Sequence, residues 1–493
     1  MRRVLIANRG EIAVRIARAC HERGLEVVAV YSSADRDAPH TRIADRAEAI
    51  GPAPARESYL RFEAILDAAR QSGADAVHPG YGFLSENAAF ARAVQAAGLT
   101  WIGPAPEAIA TMGDKIVARA TVAKAGVPLV PGAELALDDP AAITRQAHAI
   151  GFPVLVKAAA GGGGKGMRIV ESENELHDAL AAAGREAHSA FSDGRVYLER
   201  LLRRPRHVEV QVFGDQHGTL VHLGERECSI QRRHQKIVEE SPCPVMTPAL
   251  RTAMTSAALA AARAVHYTGA GTVEFLLDDD GHFYFLEMNT RLQVEHPVTE
   301  WVTGIDLVQA QLRVAAGEPL GFAQDDIALR GHAVEVRIYA EDPAAGFLPS
   351  PGPILALREP HGPGIRVDSG IDARTVVPLE YDPMLSKLSA AGPDRTTAIA
   401  RLIAALRTTA VVGPKTNVAF LIDVLQHEAF ARGATHTGFL QDHLPHWTPS
   451  APDRAAAAIA AALVLDNGGA DTGTATRSAP NPFETLGAWR LRT

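Results

Sequence analysis

Glu287-Met288-Asn289-Thr290-Arg291-Leu292-Gln293-Val294-Glu295 is the stretch that decides how this sequence folds. If it runs extended, period-two alternation sends Glu287, Asn289, Arg291, Gln293 and Glu295 to one face and Met288, Leu292 and Val294 to the other. A solvated edge strand does not explain why Phe283-Tyr284-Phe285-Leu286 is apolar and every second position is polar from Glu287 on. Just upstream, Asp280-Gly281 separates Thr272–Leu277 from His282–Glu287, the signature of a two-residue hairpin turn. With Asp279 opposite His282, counting back along both strands places Glu274 opposite Glu287 on the same face. Two facing carboxylates repel unless a cation lies between them. Glu274, Glu287 and Asn289 therefore read as hard oxygen ligands for a divalent cation, Mg²⁺ or Mn²⁺. Arg291 adds a planar fork suited to a small oxyanion.

Upstream again, Ala160-Gly161-Gly162-Gly163-Gly164-Lys165-Gly166 lies between the strands Val154–Lys157 and Met167–Val170. Consecutive glycines such as Gly163 and Gly164 free backbone N–H groups to approach phosphate oxygens, and Lys165 adds charge. The spacing is not that of a Walker loop, because Gly166 follows Lys165 where Ser or Thr is needed and Ala159 stands five before Gly164. A hairpin loop with no ligand is the plain alternative; Lys157, at the end of the feeding strand, favours a nucleotide. Glu225 to Lys236 mixes charges of both signs with amides. It reads either as a solvated loop or, through His234 and Lys236, as positive charge beside a triphosphate. Cys228 reads as an ordinary buried thiol. Glu335-Val336-Arg337-Ile338-Tyr339 alternates as a strand with Glu335, Arg337 and Tyr339 on one face.

At the N-terminus, Val4–Ala7, the helical stretch Glu11–Arg23 and Glu26–Tyr31 form a βαβ crossover, with further short strands at Ala74–Val77 and Leu99–Ile102. The expected organisation is an α/β domain over 1–112, a hairpin-rich domain over 113–320, a mixed domain over 330–445 with a helix from Thr396 to Thr408, and a linker with the start of a following segment over 446–493. Composition is that of a globular chain, 47% hydrophobic and 22% charged over 493 residues. The net charge of -8, from 49 basic and 57 acidic residues spread along the chain, argues against nucleic acid as the main partner. Three scattered cysteines suit a reducing compartment, and the longest apolar run, Ala455–Leu465, is too short to span a bilayer. A cytoplasmic enzyme is expected.

Ala7-Asn8-Arg9-Gly10-Glu11-Ile12-Ala13, His78 to Asn87, the glycine loop, Gln231 to Lys236 and Glu287 to Pro297 together resemble the biotin carboxylase subunits and domains of the biotin-dependent carboxylases, within the ATP-grasp superfamily. The resemblance covers residues 2 to 445. It implies an N-terminal α/β domain, a central ATP-grasp domain with a glycine lid, and a C-terminal domain closing the cleft. It also implies that Lys115, Lys157 and His207 contact phosphates or ribose, with Gln231 and His234 nearby, and that Glu199 and the backbone near Leu202 hold adenine. Glu274, Glu287 and Asn289 would bind metal; Arg291, Gln293 and the Val294 backbone would hold bicarbonate. Glu295 would be the base that deprotonates it, Lys236 would assist at phosphates and bicarbonate, and Arg337 would stabilise the biotin enolate. Arg200 stands where the family also uses lysine. The tail, Asn481 to Leu491, looks like the segment after this domain in long acyl-CoA carboxylase α chains, and no Met-Lys-Met biotinylation motif occurs. The expected partners are thus a biotin carrier, a carboxyltransferase and a second copy in a homodimer or larger complex. The rival readings are another ATP-grasp ligase, which has no need of the Arg291–Glu295 row, and a non-catalytic nucleotide-binding module, which would lose Glu295.

Overall fold

The computed structural model describes residues 1–134, 139–159, 167–191, 193–233 and 235–449. Gly163 and Gly164 of the glycine loop, His234, and the expected segment beyond 449 with Ala455–Leu465 and Asn481–Leu491 lie outside the described residues.

The chain opens as a parallel sheet in the spatial order Arg46–Gly51, Glu26–Ser32, Arg3–Ile6, Ala76–His78, Thr100–Trp101. Val4, Leu5 and Ile6 are apolar without alternation because the central strand of a parallel sheet is covered on both faces. Helix Gly10–Glu22 packs its Ile12, Ile16 and Cys20 against it. At the carboxyl edge of this sheet the Asn8 amide donates to the carbonyls of Pro79 and Tyr81, both at 2.7 Å. The loop comes so close that a Cβ on Gly80 (φ +64) would lie 2.7 Å from Asn8 Nδ2. Ligand sites in open α/β sheets form at this edge, and Arg9, Glu11 and Tyr81 face the cleft described below.

A four-stranded antiparallel sheet follows, ordered Gly132–Glu134, Val196–Arg200, Val154–Ala158, Arg168–Val170, with its own core of Ile143, Val154, Val156, Leu176 and Leu198. The largest sheet has eight strands: Phe283–Asn289, Gly269–Leu277, Arg206–Gly214, Leu220–Arg232, Gln235–Ser241, His332–Tyr339, Met384–Gly392 and Ile365–Ser369. It is continuous, since Gln235–Ser241 pairs directly with His332–Tyr339. Arg337 therefore reaches the same cleft as Lys236. Helix Arg395–Thr408 closes the last strands with Ala398, Leu402 and Leu406.

Two local expectations are corrected. The hairpin loop has three residues, not two: Asp278 N donates to His282 O at 2.9 Å, and Gly281 turns at φ +84. Asp278 Oδ1 imposes this by accepting from the backbone of Asp280 (3.1 Å) and His282 (2.8 Å). A bulge between Glu274 and Phe275 then offsets the register by one residue, so Glu274 still faces Glu287. Second, the strand ends at Asn289 and does not continue to Glu295. Thr290 N donates to Glu86 Oε1 at 3.0 Å instead of to a neighbouring strand, and Glu295 is the residue just before helix His296–Thr303, whose Pro297 has no N–H to give a ladder.

Glu225 to Lys236 is not a solvated loop either. Residues 225–232 and 235–236 lie in two central strands, and Arg226 is wholly buried, donating to Glu209 (2.6 Å), Gln211 (2.8 Å), Thr299 (3.0 Å) and Thr272 (3.1 Å). Polar residues at alternate positions on neighbouring strands find each other across the ladder, which gives Arg226 a partner on each of its nitrogens.

Candidate active site

The eight-stranded sheet and the N-terminal sheet edge enclose a cavity of about 860 Å³. Its wall includes Lys115, Lys157, His207, Gln231, Lys236, Glu274, Glu287, Asn289, Arg291, Gln293, Val294 and Arg337, all singled out in the sequence. Glu295 sits just behind the wall, fully buried. Glu199 and Leu202 are not part of that wall among the described residues.

Three carboxylates converge on one ammonium: Lys236 Nζ lies 2.5 Å from Glu209, 2.8 Å from Glu274 and 2.7 Å from Glu295. Burial would lower the Lys236 pKa, yet Glu209, Glu274 and Glu295 outweigh it and hold it well above the ordinary lysine value. Glu295 is the mirror case. Burial would raise its carboxyl, but Lys236, Arg337 and Arg226 keep it well below the usual carboxylate range. Arg337 bridges Glu239 (2.6 Å) and Glu295 (2.9 Å).

On the neighbouring strands, Glu274 accepts from Asn289 Nδ2 at 2.8 Å and Gln293 Nε2 at 3.3 Å, and its other oxygen lies 3.0 Å from His207 Nε2. Gln231 Nε2 lies 3.0 Å from His207 Nδ1. Arg291 donates to Glu86 (2.8 Å), Asn289 (2.9 Å) and Gln293 (3.1 Å), so its fork is held flat against the cleft although the strand has already ended. Glu287 is more open, with Lys115 Nζ at 3.7 Å. Glu274, Glu287 and the Asn289 amide present hard oxygen donors on one wall, a set that fits Mg²⁺ or Mn²⁺, with Glu287 the carboxylate least committed to protein partners.

Several participants were not read from the sequence. Arg119 ion-pairs with Glu199, whose other oxygen takes Lys157 at 2.5 Å, so Glu199 steadies a cavity lysine from behind. Glu209 was legible in principle: His207 and Glu209 alternate on one strand and must share a face. Lys387, fully buried, donates to Val294 O at 2.7 Å and pins the backbone there. Glu86 lies within a quoted motif, and only the fold shows it beneath Arg291.

Family models match nearly the whole described chain in order: biotin carboxylase N-terminal domain over 1–109, the ATP-binding domain of the carbamoyl-phosphate synthase L chain over 114–323, and biotin carboxylase C-terminal domain over 335–442. A biotin carboxylase of Halalkalibacterium halodurans is 52% identical over 443 residues, covering 90% of this chain and 98% of that protein. The chain belongs to the biotin carboxylase family. A second relative, biotin carboxylase 2 of Bacillus subtilis, is 51% identical over 442 residues, covering 90% of this chain and 99% of that protein. The biotin carboxylase domain of the Hydrogenobacter thermophilus 2-oxoglutarate carboxylase, solved as a dimer with MgADP, ADP and bicarbonate, superposes with a TM-score of 0.88 at 44% identity, covering 91% of this chain and 99% of that one. The fold of a biotin carboxylase, a parallel N-terminal sheet followed by an ATP-grasp body and a C-terminal part, is the fold seen here. Among the described residues no helix is long and apolar enough to cross a membrane.

Proposed function

We propose that this enzyme carboxylates biotin held on a carrier domain or protein, at the expense of ATP and with bicarbonate as the carbon source, and that the residues gathered on the cleft wall divide the work. The observation that carries this reading is the pair of contacts on Glu295: one oxygen on Lys236, the other on Arg337. A nucleotide-binding module or a different ligase has no use for a buried anionic carboxylate between two cations beside an Arg291 fork.

In this reading Lys115 and Lys157 take the triphosphate oxygens, Lys157 with its hold on Glu199 weakened because Arg119 shares that carboxylate, and the Lys236 charge assists at the phosphates and bicarbonate. Glu274, Glu287 and Asn289 would hold the divalent cation, which when bound neutralises phosphate charge. Bicarbonate lies against Arg291 and Gln293. Glu295 accepts its proton, an oxygen of bicarbonate bonds to the γ-phosphorus, the bond from that phosphorus to ADP breaks, and carboxyphosphate forms. Carboxyphosphate then splits to CO₂ and phosphate. Phosphate removes the biotin N1′ proton, Arg337 stabilises the enolate oxygen, and the N1′ lone pair bonds to CO₂. A carboxyltransferase partner passes the carboxyl group on to an acyl-CoA, and the chain works as a homodimer or larger complex.

Two variants test the division of roles. Arg337→Ala is expected to lose biotin carboxylation by on the order of 100-fold to 1000-fold, as for other transition-state donors, while bicarbonate-dependent ATP cleavage survives better. Glu295→Ala is expected to damage both, because without deprotonated bicarbonate no carboxyphosphate forms. Equal, proportional losses in both variants would contradict the assignment.

A further inference from the structure

Behind Arg337, away from the cavity, lies a pair of acids that the mechanism above leaves unused. Glu239 and Glu335 are directly opposite one another on the antiparallel strands Gln235–Ser241 and His332–Tyr339, and both are fully buried. Opposed residues of such a ladder have Cβ atoms about 5 Å apart on one face. Glu239 Oε1 accepts from Arg337 Nε at 2.6 Å, but Glu239 Oε2 and both Glu335 oxygens have no hydrogen-bond partner among the described residues. Three buried, unpartnered carboxylate oxygens in one place are too costly as bare anions. A proton between the two acids resolves this, because a protonated carboxyl is a donor.

Resting on the carboxylase reading, we propose that Glu239 is a positioning residue for Arg337, and that Glu335 is a carboxylic acid whose O–H is donated to the second oxygen of Glu239. Arg337 is thereby fixed by two anions on two of its guanidinium nitrogens, Glu239 on Nε and Glu295 on Nη2. These hold the group differently through the reaction. When Glu295 takes the bicarbonate proton it loses its charge, and Glu239 becomes the remaining anion that keeps Arg337 in place while the biotin enolate develops.

The surrounding charges agree. Burial, with Glu239 and Asp368 adding to it against Lys387 and Arg366, holds Glu335 well above the usual carboxylate range. Burial and Glu295 together raise Glu239 to about 7, with Arg337 and Lys236 opposing. On the helix that packs over these strands, His296 is kept neutral by burial and by Lys387, Arg15 and Arg366, and Glu300 is engaged by Arg15 and Arg366. Two acids confined together ionise in separate steps, the second with difficulty. As pH falls through about 7 Glu239 gains a proton and its grip on Arg337 weakens, so biotin carboxylation should have an acid limb that bicarbonate-dependent ATP cleavage lacks.

The test follows both activities of the intact enzyme, with free biotin as acceptor, from pH 6 to 9. Glu239→Gln is expected to lower kcat for biotin carboxylation by on the order of 100-fold, the scale of a misplaced catalytic group, to abolish the acid limb, and to leave bicarbonate-dependent ATP cleavage within about threefold. Glu335→Leu, which removes the donor, is expected to move the limb to higher pH, and Glu335→Gln, whose amide donates as a neutral acid would, to restore it. A wild-type enzyme without either activity would overturn the carboxylase reading. With both activities present, an unchanged limb in Glu239→Gln, equal loss of both activities, or a Glu335→Gln profile matching that of Glu335→Leu would overturn the proposal alone.

Discussion

Replacing Lys236 by methionine removes the one ammonium that Glu209, Glu274 and Glu295 share, and the consequence for stability can be worked from the geometry. Contacts of 2.5, 2.8 and 2.7 Å place each carboxylate charge about 4 Å or less from the ammonium charge, a gross attraction of about 4 kcal/mol apiece at an effective dielectric of about 20. Desolvating the lysine offsets several kcal/mol of this, and breaking a buried pair costs a net of about 3–5 kcal/mol, chiefly from the anions left behind. The loss should depend on pH in a definite direction. In the wild type Glu274 and Glu295 are held below their ordinary 4.5 although burial opposes this, so their contribution is fully present above that value and disappears only as pH falls through their folded values. Without Lys236, burial is opposed only by Arg337 and Arg226 at Glu295 and by His207 at Glu274, so both carboxyls shift upward and contribute less at neutral pH, a loss that shrinks as protonation becomes available. Urea denaturation should therefore show the variant about 3–5 kcal/mol less stable at pH 7.5, with the gap clearly narrower at pH 5. A deficit below about 1 kcal/mol, or one identical at the two pH values, would mean that Lys236 does not hold these carboxylates together.

Glu287→Gln should abolish metal-dependent ATP turnover while circular dichroism and thermal midpoint stay near wild type, because Glu287 is only partly buried and has Lys115 at 3.7 Å as its ion-pair partner; near-normal turnover at ordinary Mg²⁺ would sink the metal assignment. Arg119→Leu should leave Lys157 as the sole cation on Glu199 among the described residues and draw it from the phosphates, raising the KM for ATP by on the order of tenfold with a smaller change in kcat, as expected for a lost charged hydrogen bond. Arg291→Lys should raise the KM for bicarbonate by roughly ten- to a hundredfold, since a point charge cannot reproduce a fork held by Glu86, Asn289 and Gln293; an unchanged KM would move bicarbonate elsewhere.

The pairing of Glu274 with Glu287 was legible because period-two alternation survives local errors. The loop is one residue longer than the Asp280-Gly281 pattern suggested, and the bulge at Glu274 cancels the slip. The end of the strand at Asn289 was not legible. It depends on Glu86, about two hundred residues away, capturing Thr290 N and Arg291, and on Pro297 at the next helix start. Similarly, Glu225 to Lys236 carries the composition of a surface loop. Only the sheet order, which sets Arg226 beside Glu209 and Thr272, reveals that these charges satisfy one another inside. Pattern within a strand reports which face a side chain takes; it does not report which strand lies next door. That is why Lys236 and Arg337 could be named one by one, whereas their meeting on opposite oxygens of Glu295 needed the continuous eight-stranded sheet.

The most direct measurement is transfer of labelled carbon from bicarbonate to free biotin by the purified full chain with ATP and Mg²⁺. Acid-labile label in biotin is expected, dependent on ATP and formed in step with biotin-stimulated ADP release. ATP cleavage indifferent to bicarbonate, or bicarbonate-dependent cleavage that never places label in biotin, would contradict it.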